Sequence, residues 1–90
     1  MDFEWDSAKA AANVRKHGVS FEEAVSTLRD DLAATAHDLE HSVAELRFIT
    51  FGISANGRLL AVSHTERGTK IRIISARLAT RTERKIYEKS

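Results

Sequence analysis
Ninety residues, no cysteine and a net charge of +1 bound what this chain can be. A chain of that length makes one domain, 1–90, with a modest core whose stability a partner can supplement. Without cysteine there is no disulfide framework and no thiolate metal site. No apolar run approaches a membrane span, and the opening MDFEWDSAKA lacks the basic-then-apolar order of a secretory signal. A cytoplasmic protein with no membrane partner is therefore expected.

In chain order, Asp2–Trp5 alternates polar and aromatic residues and is predicted as a short strand. Asp6 then caps an alanine-rich helix over Ser7–His17, closed by Gly18. Its inward stripe is Ala10, Val14 and His17, with Asn13 beside it. Ser20-Phe21-Glu22-Glu23 has the form of a capping box and opens a second helix to about Leu28. Leu32, Ala34 and Ala36 alternate as a weak strand, and His37–Ala44 is a polar loop. Three stronger strands follow at Leu46–Ser54, Arg58–Thr65 and Lys70–Arg77. The first hairpin is expected to use a type I′ turn at Asn56-Gly57, and Arg67-Gly68 turns again. Thr80-Arg81-Thr82-Glu83 is a second capping box that starts a last helix through about Glu88. The expected class is α+β, with helices packed on one face of a twisted antiparallel sheet.

The charge is unevenly spread. Residues 1–66 carry six basic and eleven acidic side chains, whereas 67–90 carry eight basic ones against Glu83 and Glu88. Such a distribution fits a surface for a polyanion or an acidic partner, and equally a solvated strand edge and helix rim. Strict alternation puts His64 and Glu66 at the end of the Leu60–Val62 row, and puts Ile71, Ile73, Ser75 and Arg77 on one face. A polar pair at the margin of an apolar row suits acid–base chemistry, or is an inert hydrogen-bonded rim histidine. On the last helix Thr80, Glu83, Arg84 and Tyr87 share a stripe, either supporting a site or simply packing. Lys16 and His17 suit the negative end of the first helix. His37 and His41, four apart, lack the carboxylate–histidine framework of a metal site, so no metal or other cofactor is expected. Cleaving RNA without metal needs a base for the 2′-hydroxyl, cations for the phosphorane and a donor for the leaving oxygen. Histidine, glutamate, arginine, lysine and tyrosine cover those roles.

Several blocks resemble one known family. Phe3-Glu4-Trp5-Asp6, Lys9-Ala10, Asn13 and the run Lys16-His17-Gly18-Val19-Ser20-Phe21-Glu22-Glu23-Ala24 resemble the opening of the BrnT toxin family. Glu45, Arg47-Phe48 and Gly52 resemble its middle strand. His64-Thr65-Glu66-Arg67-Gly68, the run Ile71–Arg77, Ala79-Thr80, Glu83-Arg84 and Tyr87-Glu88 resemble its close. The segment Asp30–His37 departs from the family in having no proline. The resemblance implies a small RelE-like domain and a ribonuclease that arrests translation. It also implies neutralisation by a BrnA-type antitoxin, through which alone the toxin meets operator DNA. On the matched positions it makes His64, Glu66, Arg77, His17 and Tyr87 catalytic candidates. Lys16, Arg72, Arg81 and Arg84 are the candidates for holding RNA phosphate. A non-catalytic module, gripping an acidic protein or nucleic acid with the basic C-terminal third, remains the alternative.

Overall fold
Asp6 ends the first strand, β1 (Asp2–Glu4), and starts the first helix, α1 (Ser7–His17), because its carboxylate accepts the Lys9 N–H that has no partner within the helix. The computed structural model describes residues 2–89. Gly18 closes α1 in the left-handed conformation, and Val19 leads into α2 (Phe21–Leu28). Ser20 accepts the Glu23 N–H, but the reciprocal half of the expected box is not made. The Glu23 carboxylate turns instead to Ser54 and Arg58, where it meets a full positive charge. The strands β2 (Ala34–His37), β3 (Arg47–Ile53), β4 (Leu59–Arg67) and β5 (Lys70–Leu78) follow, and α3 (Arg81–Lys89) ends the fold.

The five strands form one sheet in the order β1-β5-β4-β3-β2. The hairpins make β2–β3, β3–β4 and β4–β5 antiparallel, but β1 pairs with β5 in parallel. The sheet is therefore mixed rather than wholly antiparallel. Two helices and three strands separate β1 from β5, so no tight turn dictates their relative direction. One face of the sheet carries the core of Leu60, Val62, Ile73 and Ala76, sealed by Val19, Phe21 and Ala24. Trp5 meets Phe21 edge-on at 5.9 Å, and Phe3, Ala10, Leu28 and Ile71 extend this cluster. Gly52 lets α2 approach, since a Cβ there would lie 2.9 Å from the Thr27 carbonyl oxygen. The helices do not all share that face. Phe51 and Ala61 point the other way and are also buried, on the side where α3 packs across β3 and Glu83 meets Arg77. The result is helices, sheet and helix in three layers.

Two local departures reshape what the strands present. The first hairpin is not a type I′ turn: Gly57 alone in its loop has positive φ, at 76°, and its N–H donates to the Ser54 carbonyl. Ser54 N–H then donates to the Arg58 carbonyl, giving a longer loop with its glycine at the bulge position, which spares Asn56 a left-handed conformation. The second departure is a bulge opposite Ser63 and His64. His64 faces Ile73 while Ser63 faces Ser75, so Ile74 has no partner of its own. Alternation resets there. Ile71, Ile73 and Ala76 face the core, whereas Arg72, Ser75 and Arg77 share the face covered in part by α3. The regular alternation expected across Ile71–Arg77 is thus broken in its middle.

Candidate functional site
The bulge divides the predicted site residues between the two faces of the sheet. His64 lies on the α1/α2 side, in register with Phe48, and is buried. Its Nε2 shares a 2.8 Å hydrogen bond with Thr50 Oγ1, which in turn shares one of 2.7 Å with Thr35 Oγ1. Phe48 stacks on the imidazole at 5.7 Å, and His37 covers Phe48 at 5.1 Å. Burial pushes the His64 pKa down, with Glu66 pulling weakly the other way from the exposed end of β4. Lys16 and His17 end α1 on this same side, beside Gly18, whose carbonyl accepts from Arg58. Arg72 donates to Glu4 across the β1–β5 pair at 2.8 Å.

On the other face, Arg77 is gripped bidentately by Glu83, with Nη1 and Nη2 donating at 2.7 and 3.0 Å. Glu83 also completes the expected capping box, accepting Thr80 N–H while Thr80 Oγ1 accepts Glu83 N–H. The Arg77 guanidinium, then the helix-start N–H, hold the Glu83 carboxyl below the usual range, and burial works against them. Tyr87 donates to Asp30 Oδ2 at 2.8 Å and so pins α3 to the segment after α2. Arg81 and Arg84 stand exposed on α3. Arg77, Glu83 and Tyr87 are therefore linked through one helix, whereas His64, Glu66, Lys16 and His17 lie across the sheet from them.

Arg77 also lines a cleft of about 260 Å³ that the strand pattern did not reveal. Its floor is Ile49, Ser63, Ile74 and Ser75, and its walls are Arg47, Arg77, Asp38 and His41. Arg47 Nε is buried and makes no hydrogen bond among the described residues, although Glu45 Oε1 lies 3.4 Å away. Two guanidinium groups thus flank one hydroxyl-bearing floor, which suits an anion of phosphate size. Arg47 stood in the sequence only as part of a family block, Ser75 only as a strand position on the face of Arg77, and Ser63 as an unremarked strand position. That Arg47 and Ser63 share a face with Ser75 and Arg77 depends on the bulge, which has no sequence signature here. His37 and His41 diverge, the first onto Phe48 and the second into the cleft. No three His, Asp or Glu side chains converge among the described residues.

The buried groups predict an acid response. His64 has a folded pKa below its ordinary 6.5, so the unfolded chain binds the extra proton first. Its contribution to stability is full above about pH 6.5 and is lost as pH falls through the lowered value. The Glu23 carboxyl, held below its ordinary 4.5 chiefly by Arg58, adds a second loss below that pH. Urea midpoints measured from pH 8 to 3 are expected to fall in two stages. His64→Gln should remove the first and Glu23→Gln should shrink the second, to which Glu83 also contributes.

A family model described as "Ribonuclease toxin, BrnT, of type II toxin-antitoxin system" matches residues 5–83. Curated protein sequences gave no match. Among solved structures, the crystal structure of the Brucella abortus ribonuclease toxin BrnT superposes with a TM-score of 0.69 at 25% identity, covering 90% of this chain and 99% of that one. No helix among the described residues is long and apolar enough to cross a membrane. With the match running from Trp5, just past β1, to Glu83 in α3, and with most of the chain superposing on that structure, the chain belongs to the BrnT family of ribonuclease toxins of type II toxin–antitoxin systems.

Proposed function
We propose that this chain is an endoribonuclease that cuts RNA without a metal ion, inhibits translation in the cytoplasm and is neutralised by an antitoxin of the BrnA type. The observation that carries the reading is the cleft in which Arg47 and Arg77 flank a floor of serine hydroxyls. Attack of a 2′-oxygen on the neighbouring phosphorus puts extra negative charge on the phosphoryl oxygens. Guanidinium groups already fixed in place stabilise that charge without reorganising during the reaction. Glu83 fixes the plane of Arg77, and Tyr87 holds the helix that carries Glu83. In this reading Tyr87 is a positioning residue. Arg81, Arg84, Arg72 and Lys16 add long-range attraction for the RNA backbone. His64, across the sheet, ties β4 to β3 through Thr50 rather than acting on RNA, and Glu66 lies exposed at the end of β4.

The antitoxin reading rests on the family, with operator DNA reached only through that partner. The test is the purified chain with end-labelled RNA in excess chelator. Time-dependent cleavage is expected, leaving 2′,3′-cyclic phosphate ends. Salt-sensitive binding with no cleavage overturns the proposal in favour of a non-catalytic binding module.

A further inference from the structure
We propose that His41 is the general base of this cleft and that Asp38 is its positioning residue, an assignment that rests on the ribonuclease reading above. The two residues bound a single 3₁₀ turn between β2 and β3, and that turn is built rather than loose. Asp38 N–H donates to the Arg47 carbonyl at 2.8 Å, extending the β2–β3 ladder by one rung. Ser42 Oγ donates to the Asp38 carbonyl at 2.6 Å and accepts Arg47 N–H at 3.0 Å. Residues 38–42 are thereby tied to the strand position that carries a cleft guanidinium.

The imidazole is oriented within that turn. Both Asp38 carboxylate oxygens face His41 Nδ1, at 2.9 and 3.1 Å. A carboxylate accepts only, so Nδ1 carries the hydrogen, and in the neutral ring Nε2 is then the nitrogen with the lone pair. The Asp38 side chain is 13% exposed and the His41 side chain 62%, so the carboxylate sits inside while the ring reaches solvent. An exposed ion pair kept for stability alone gains little and has no reason to cover its acid. The other three histidines are placed differently: His64 is buried, His37 lies tilted against Phe48, and His17 ends α1 on the far side of the sheet. Among the described residues His41 is the histidine that lines the cleft with Arg47 and Arg77.

The step balances without a further reagent. The 2′-hydroxyl proton passes to His41 Nε2 as the O2′–P bond forms. The P–O5′ bond breaks, leaving a 2′,3′-cyclic phosphate, and the departing 5′-oxygen takes a proton from solvent water. The imidazolium then returns its proton to solvent. Asp38 holds the ring and stabilises its transient charge, as carboxylates behind catalytic histidines do.

The experiment measures single-turnover cleavage by the full chain at saturating RNA, with RNA affinity and thermal midpoint recorded in parallel. His41→Ala and His41→Gln are expected to lower the rate by about 10²–10⁴-fold at unchanged affinity, and added imidazole should restore part of the His41→Ala rate. Asp38→Asn should lower kcat with KM unchanged. A His41→Ala rate within about threefold of the unaltered chain, or a lost rate that imidazole does not restore, overturns the assignment while leaving the ribonuclease reading in place. An unaltered chain that cuts no RNA overturns the ribonuclease reading and the base with it.

Discussion
Asn13→Ala is expected to remove roughly 3–5 kcal/mol of stability, because it orphans three buried backbone groups at once. Asn13 is buried on α1. Its Nδ2 donates to the Ala76 carbonyl at 2.7 Å and to the Val19 carbonyl at 2.9 Å, and its Oδ1 accepts Ala76 N–H at 3.1 Å. The paired contact with Ala76 mimics a strand. β1 covers β5 only at Lys70–Arg72, so further along β5 that edge is left for a side chain to satisfy. Each orphaned group costs about 1–3 kcal/mol, against about 5–15 kcal/mol for a whole domain. Urea unfolding checks the value. Asn13→Asp should also be severe, since it keeps an acceptor but loses both donated bonds and buries a charge. Val14→Ala, one residue on and 48% exposed, should change stability by no more than about 0.5 kcal/mol. Equal effects at 13 and 14 would refute the edge-capping account. Because Ala76 adjoins Arg77, the same contact also sets where a cleft cation stands.

Asn13 shows where a sequence stops being legible. Period 3.6 puts Ala10, Val14 and His17 on the inward stripe with Asn13 beside it, yet Asn13 is the buried residue and Val14 the exposed one. The helix is rotated to bring an amide to a strand edge, and hydrophobicity alone does not encode that demand. Elements set by local chemistry read well. Asp6, Ser20 and Thr80 each cap the helix they precede, since an oxygen that accepts an early helix N–H needs only its own sequence neighbourhood. Three features need tertiary knowledge: the parallel β1–β5 pairing, the second face taken by α3 and the bulge at Ile74. The bulge matters most for function. With strict alternation Arg77 shares a face with Ile71 and Ile73. With the bulge it and Ser75 lie instead on the face of Arg47 and Ser63, and the cleft exists only in that arrangement. Asp38 and His41 lay in the polar loop without periodicity, and their pairing follows from a 3₁₀ turn that no repeat announces.

Arg47→Ala and Arg77→Ala are each expected to lower RNA cleavage by about 10²–10³-fold, the range for removing one preorganised donor from a developing anion. Both side chains wall the cleft, but they differ in what else they hold. Arg77 also anchors Glu83 and hence α3, so its removal should lower the melting temperature as well as the rate. Arg47 loses only a half-exposed ion pair with Glu45, worth little, so its removal should affect the rate far more than the stability. Arg77→Lys should not restore activity, because an ammonium cannot reproduce the bidentate fork that Glu83 holds in plane. The exposed pair Arg81 and Arg84 supplies the contrast. Replacing both by alanine should weaken RNA binding and flatten its salt dependence while leaving the rate at saturating RNA near that of the unaltered chain. Growth arrest on induced expression gives the same ranking in cells: abolished by the double change at 47 and 77, and merely weakened by the double change at 81 and 84. The reverse ranking, with folded protein confirmed for each variant, would move the reacting phosphate out of the cleft and onto the surface of α3.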